Sequence, residues 1–393
     1  MTYEWAKNAS GTPSGVLKAP MTDAGLCYLD HNATTPLLPQ VDAAVRESLS
    51  AFGNPSSVHS GGRRARSLLE DAREHLAAAS GASAAEIVFT SGGTEANALA
   101  LHGFAAAQGC KSAIVAGIEH ASVLAAAAGA VVVACDARGS IDLNALEDAL
   151  KAAPRPALIA LMLANNETGV LQPMDAAISL ARTYGAFIHC DAVQAFGKVP
   201  LDFSSLVVDS MSLSAHKIGG LKGIGALLVR RGCELTADLV GGGQERRRRA
   251  GTENVTGIAS FGAAAREIPR LLADAPRIRG LRDQLESRVR DAAPQAKIYG
   301  ESGARLPNTT CISLANVSSE TQVMRLDLAG VAVSAGSACS SGKIAPSHVL
   351  LAMGISPAEA KSAIRVSLGW STTEADIARF IEAWRPLALS AAA

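Results

Sequence analysis

Aromatic side chains are scarce: Phe, Tyr and Trp supply 4% of 393 residues, so alanine, valine, leucine and isoleucine must build the core. Net charge is missing as well. Lys plus Arg number 36 and Asp plus Glu number 36, which argues against nucleic acid or an anionic membrane as the main partner. No Cys-x-x-Cys occurs among the seven cysteines, Cys27, Cys110, Cys135, Cys190, Cys233, Cys311 and Cys339. The signal for a zinc ribbon or a thioredoxin-like dithiol is therefore absent, and no metal site is expected. The odd count and irregular gaps suit a reducing, cytoplasmic setting, with most thiols acting as small buried hydrophobes. The longest uncharged stretch, residues 121–135, falls short of the roughly 18 to 20 apolar residues of a membrane span. Residues 1–25 contain no apolar run of the kind found in signal peptides and read as a flexible leader. No repeat of about 20 to 50 residues marks a solenoid or propeller.

What is present is a large reserve of apolar residues. At 48% hydrophobic and 18% charged, the chain is too apolar and too neutral to be intrinsically disordered. Its length predicts roughly two to three domains. Apolar residues at helical spacing (Ala65, Leu68, Leu69, Ala72, Leu76) predict a helix. Strands are predicted at 86–90, 113–116, 130–135, 157–163, 186–190, 210–213 and 226–229, with helices at 95–103, 143–152 and 175–184 between them. Such alternation, with unbroken apolar strands, is the pattern of an α/β fold whose mostly parallel sheet is covered on both faces. Past residue 265 the pattern changes to a charged helix at 266–290, short strands at 308–314 and 331–334, and two helices. Capping boxes at Ser356-Pro-Ala-Glu359 and Ser371-Thr-Thr-Glu374 open those helices. The expected organisation is a large domain over 38–275 and a smaller α+β domain formed by 26–37 with 276–393, with a ligand cleft between them.

Five segments could carry chemistry. Thr90-Ser-Gly-Gly-Thr-Glu-Ala-Asn97 follows a strand and opens a helix, where free N–H groups suit a phosphate; a tight strand–helix turn explains it about as well. It matches neither the P-loop nor the G-x-G-x-x-G fingerprint, which disfavours ATP and dinucleotides. Asp191 ends an apolar strand, the place where open α/β sheets hold ligands, although an isolated aspartate there more often caps the next helix. Lys217 follows a strand and is flanked by Ser214, His216 and several glycines; partial burial would lower its pKa and make it a Schiff-base former, although a lone lysine there is more often a surface-loop residue and only the glycine density points to a site. Cys339, in Val333-Ser-Ala-Gly-Ser-Ala-Cys-Ser-Ser-Gly342, stands in a small polar stretch unlike the apolar runs around the other cysteines, which suits a reactive thiol and a passive loop cysteine equally well. The tract Gln244-Glu-Arg-Arg-Arg-Arg249 lacks interleaved aromatics for RNA and reads as a solvated or phosphate-facing loop.

Taken in order, these segments resemble the cysteine desulfurases of group I (NifS/IscS-like). These are pyridoxal-phosphate (PLP) enzymes of the class V aminotransferase family and of fold type I. The resemblance spans residues 28–377. It rests on Tyr28-Leu-Asp-His-Asn-Ala-Thr-Thr-Pro36, Gly53-Asn-Pro-Ser-Ser57, the 90–97 segment, Glu119-His120, Asn165-Asn-Glu-Thr-Gly169, residues 189–194, Ser214-Ala-His-Lys217, Arg249-Ala-Gly-Thr-Glu-Asn254, residues 334–341 and Arg365-Val-Ser-Leu-Gly369. The resemblance implies that Lys217 holds PLP and moves the substrate's α-proton, while Asp191 keeps the pyridine nitrogen protonated. It places His120 on the ring face and Gln194 and Asn166 near the phenolic oxygen. The phosphate falls to Gly93, Thr94, Ser214 and His216, with Thr252 reaching it from the second subunit of a homodimer. Arg365, with Asn166, would bind the carboxylate of L-cysteine, and Cys339 would take its sulfur as a persulfide and release alanine. The implied partner is an iron–sulfur scaffold or another sulfur acceptor. Two alternatives stay open at this point: a selenocysteine lyase or another class V enzyme, and a PLP-free interaction protein that keeps only the fold.

Overall fold

The computed structural model describes residues 25–336 and 345–392. Cys339 and residues 1–24 of the expected leader lie outside them. The strands, in chain order, are β1 (Cys27–Tyr28), β2 (Ile87–Thr90), β3 (Ser112–Ala116), β4 (Val131–Val133), β5 (Ala157–Met162), β6 (Phe187–Asp191), β7 (Ser210–Ser214), β8 (Gly225–Val229), β9 (Lys297–Tyr299), β10 (Thr309–Ser313), β11 (Val331–Ala332), β12 (Ser334–Ala335) and β13 (Ala363–Ser367). Seven of them form one sheet in the order β2-β8-β7-β6-β5-β3-β4. Only β8 runs antiparallel to its neighbours there.

The apolar strands predicted from sequence are these. Every residue of β2, β5, β7 and β8 is buried, because helices cover both faces of the sheet and neither face can be polar. The strand predicted over 130–135 shrinks to β4, whose Val131 and Val132 are exposed at the sheet edge. Ser60–Ser80 and Met174–Tyr184 are helices that stop at Gly81 and Gly185, both in the left-handed region, which glycine adopts without steric cost. Asp142 opens the helix Leu143–Ala152 by accepting from Asn144 N and Ala145 N.

The remaining strands make two smaller sheets, β12-β13-β10-β9 and the parallel pair β1-β11. A second apolar core lies here. It joins Cys27 and Leu29 to Leu285, Ile312, Ile364, Phe380 and Trp384, so a short N-terminal segment packs with the far C-terminal part of the chain.

Three expectations need correction. The strand predicted over 331–334 is two strands in different sheets, β11 and β12, broken at Val333. A helix over Val255–Arg266, rich in alanine and glycine and almost wholly buried on one side, precedes the charged one, which runs over Ile268–Ala292. The capping box of the last helix is Thr373–Asp376, with Thr373 N donating to Asp376 Oδ2 (2.8 Å) and Asp376 N to Thr373 Oγ1 (3.4 Å). Residues just before it are held in a turn by Gly369 N and Thr372 Oγ1 (2.9 Å), which delays the helix beyond Ser371. The other box, at Ser356, opens a single turn, Pro357–Ala360.

Candidate active site

At the carboxyl ends of β5, β6 and β7 a cavity of about 230 Å³ opens between the sheet and the segments that follow it. Its walls include Gly93 and Thr94, His120 and Ser122, Asn166, Asp191 and Gln194, and Ser214, His216 and Lys217. Residues far apart in sequence are brought together because parallel strands put all their carboxyl ends on one edge of the sheet.

Asp191 closes β6 and is 6% exposed. Its Oδ1 accepts from Val193 N at 3.0 Å and its Oδ2 from Asn97 Nδ2 at 2.8 Å. The carboxylate thus caps the following turn, as an isolated aspartate would, and also faces the cavity. Asn97 lies one helical turn after Gly93, and its Oδ1 meets His189 Nε2 at 3.1 Å. His189 Nδ1 in turn pairs with Ser210 Oγ at 2.9 Å. His120 precedes the helix Ala121–Ala126 and pairs through Nδ1 with Ser122 Oγ at 2.8 Å. Burial lowers its pKa, the neighbouring Asp191 charge opposing that effect.

Lys217 sits on the single turn Ala215–Lys217 after β7. Its Nζ donates to the carbonyls of Asn32 (2.6 Å) and Ala33 (2.9 Å). Beside it, His216 Nδ1 pairs with Thr34 Oγ1 at 2.9 Å, and burial together with the Lys217 charge pushes its pKa down to about 4. Ser214 Oγ is buried with no hydrogen-bond partner among the described residues. Across from it, a Cβ added to Gly93 would lie 2.8 Å from Val193 Cγ2 and 3.6 Å from Ser214 Cβ. The bare backbone at Gly93 therefore keeps that corner open.

Arg365 lies on β13 and does not line the cavity wall, although it is close. Its Nη1 donates to Asn166 O at 3.2 Å and its Nη2 to Asp30 Oδ1 at 3.0 Å, while Nε is buried with no hydrogen-bond partner among the described residues. Thr252 is not brought to this cavity; it lines a separate surface hollow with Thr90, Arg249 and Asn254. In the arginine tract, Arg249 is taken up by Glu95 (Nε to Oε1, 2.9 Å). Glu245 is buried against Arg73 at 2.8 Å. Glu245, Arg246 and Arg247 all have positive φ.

Sequence reasoning quoted Asp30, Asn32, Asn97 and His189 inside motifs without giving them a role, and it passed over Ser122 and Lys198. For Asn97 a signal existed, since it falls four residues after Gly93 on one helix face. Asn32 offered none. Its partners Asn166, Thr309, Asn308, Gln194, Lys198 and Lys217 are distant in sequence.

Two buried imidazoles carry a prediction for stability. Burial pushes His189 down to about 3, and burial with the nearby Lys198 charge does the same for His31. An unfolded histidine titrates near 6.5. Between these values the unfolded chain binds protons that the folded chain refuses, so stability is complete above about pH 6.5 and declines as pH falls toward 3. Each imidazole should remove roughly 2 kcal/mol by pH 5. Urea midpoints measured from pH 7 to pH 4.5 should fall steadily; a flat profile would contradict this.

The cavity fits a phosphorylated pyridine aldehyde. An orphan hydroxyl at Ser214 and the opening N–H groups of the helix at Gly93 form a donor set for phosphate. A carboxylate and an amine stand in the same space. Comparisons with known proteins agree. Residues 27–380 match the family Aminotransferase class-V. A cysteine desulfurase of Cereibacter sphaeroides is 44% identical over 371 residues, covering 92% of this chain and 95% of the relative. The cysteine desulfurase IscS of Dictyoglomus turgidum is 40% identical, covering 89% and 91%. The solved NifS-like protein of Rickettsia africae superposes with a TM-score of 0.85 at 36% identity, covering 92% of this chain and 99% of that one. The chain thus belongs to the class V aminotransferases, a PLP-dependent family of fold type I, among its NifS/IscS-like cysteine desulfurases.

Proposed function

We propose that this protein converts L-cysteine to L-alanine and carries the sulfur as a persulfide on Cys339. The observation that carries the reading is the convergence of Lys217, Asp191, His120, Gln194 and Ser214 on one cavity. PLP bound there supplies an electron sink for the substrate's α-carbon. Lys217 holds the cofactor covalently, Asp191 pairs with its ring nitrogen and His120 covers its face. Gln194 and Asn166 attend its phenolic oxygen, and Gly93, Thr94, Ser214 and His216 its phosphate. Arg365, aimed by Asp30, takes the substrate carboxylate, and Lys217 moves the α-proton. Cys339 acts as a thiolate on the substrate's sulfur. The carbon–sulfur bond of the substrate breaks, a sulfur–sulfur bond forms on Cys339, and alanine leaves.

A homodimer accounts for the position of Thr252. Outside the cavity of its own chain, it is free to reach the phosphate of a second copy. Phe52 and Val58 are 92% and 88% exposed, and the 52–58 stretch borders the same surface hollow as Gly243 and Arg246. Bulky apolar side chains left uncovered together suit a protein contact. The second core, joining Cys27 and Leu29 to the C-terminal part, supports a large unit over 38–275 and a smaller one over 26–37 and 276–393. All six cysteines among the described residues are free thiols, in keeping with a cytoplasmic setting. An iron–sulfur scaffold or another thiol protein would take the persulfide sulfur.

Purified enzyme loaded with PLP and given L-cysteine and a reductant should release alanine and sulfide in equal amounts. Alanine without sulfide, or turnover of selenocysteine alone, would reject the reading in favour of another class V activity.

A further inference from the structure

Lys198 has no part in the chemistry above, and it does not line the cofactor cavity. It opens with Lys217 and His31 onto a smaller neighbouring hollow. A helical turn follows Asp191, with Phe196 N donating to Ala192 O at 2.9 Å and Lys198 N to Ala195 O at 3.0 Å. That turn sets Gln194 and Lys198 on one face. The Nζ of Lys198 donates to Gln194 Oε1 at 2.6 Å and to Asn32 Oδ1 at 2.9 Å. Neither partner is a carboxylate. An enclosed amine with only neutral acceptors is costly to keep.

We propose that Lys198 is a positioning residue that fixes the facing of the Gln194 amide and so holds an N–H donor toward the cofactor cavity. A protonated Lys198 can only donate in this contact and the Asn32 carbonyl on the other side can only accept, so Gln194 presents Oε1 to the lysine and turns Nε2 the other way. One N–H of Nε2 goes to Asn32 O at 3.0 Å. The second is left for the cavity that Gln194 lines. Asn32 ties the arrangement to Lys217, because its carbonyl accepts from both Gln194 Nε2 and Lys217 Nζ.

Electrostatics act in the same sense. Burial, then the Lys217 and Arg365 charges, hold the Lys198 amine well below its ordinary value; by reciprocity, charge on Lys198 disfavours a proton at Lys217. The other ionisable groups around the pair are His216 and Lys222 on the loop of Lys217, His120, Asp191, Arg365, His31, and Asp274 across the smaller hollow. None of them is substituted by a change at 198, although the Lys198 charge acts on His31 and His216, and its loss raises both. Losing Lys198 removes a fixed donor near the cofactor's phenolic oxygen and a positive neighbour of Lys217, and both losses favour the protonated cofactor–lysine linkage.

The inference rests on the reading that Lys217 carries PLP, and the test separates the two. Lys198→Met in the loaded enzyme, without substrate, should move the pH midpoint of the visible absorbance band upward by about one unit. Gln194→Leu should move it in the same direction. The double variant should shift by less than the sum, because Lys198 acts through Gln194. A structural role alone would lower the melting temperature and leave the midpoint where it was. An unmoved midpoint in Lys198→Met, with the parent band present, overturns the proposal. A parent enzyme with no pH-sensitive band would reject the Lys217 reading instead. If Lys198→Met does not fold, Lys198→Gln is read by the same titration and judged by the same two outcomes.

Discussion

Lys217→Ala should lose the borohydride-fixed cofactor completely and lose turnover of L-cysteine by about four orders of magnitude. The expectation follows from position. Lys217 ends a turn after a fully buried strand, and two backbone carbonyls hold its amine at 2.6 and 2.9 Å from Asn32 O and Ala33 O. The alternative lysine on the same loop, Lys222, is exposed to solvent. PLP should still associate with the variant through Ser214 and the backbone at Gly93, so absorbance alone does not decide the matter. Borohydride reduction of the parent enzyme followed by peptide mapping does. Label on Lys222 or Lys198 would show that the assignment is wrong.

Cys339→Ser should separate binding from sulfur transfer. The variant leaves Lys217, Asp191 and Arg365 in place, so L-cysteine should still perturb the visible spectrum at concentrations close to those for the parent. Production of alanine and sulfide should fall by about a thousandfold, since a hydroxyl is a poor nucleophile toward sulfur and does not ionise near neutral pH. Normal turnover in Cys339→Ser would leave the family assignment standing and remove the persulfide mechanism. A spectrum indifferent to L-cysteine in this variant would instead place Cys339 among the groups that bind the substrate.

The two assignments had different footing in the sequence. Lys217 and Asp191 could be picked out because Asp191 ends a strand and Lys217 lies on the turn after one, and the carboxyl end of a strand is a functional address in an α/β sheet. Gly93 was legible for the same reason. Cys339 was distinguished only by its polar neighbours, and it lies outside the described residues. The corrections show where local reading fails. The 331–334 run looks like one strand, yet β11 pairs with β1 and β12 with β13, a choice made by partners more than 300 and about 30 residues away. At the last helix the pattern Ser-Thr-Thr-Glu satisfies the capping rule as well as Thr373-Glu-Ala-Asp376 does. Only the turn closed by Gly369 and Thr372 selects between them.

The alternation of strands and helices, several of the caps, and the choice of Lys217, Asp191 and Gly93, which line one cavity, were legible from local sequence alone. Each of these depends on side-chain period or backbone preference over a few neighbouring positions. Tertiary structure alone decided the arrangement that holds them. Asn32 meets Lys217, Lys198, Asn166, Asn308 and Thr309. Asp30 aims Arg365, and Asn97 braces Asp191 with His189 behind it. A buried amide or carboxylate must find a partner wherever the fold brings one within about 3 Å. Those partners lie on other strands and turns, so no window of sequence contains them.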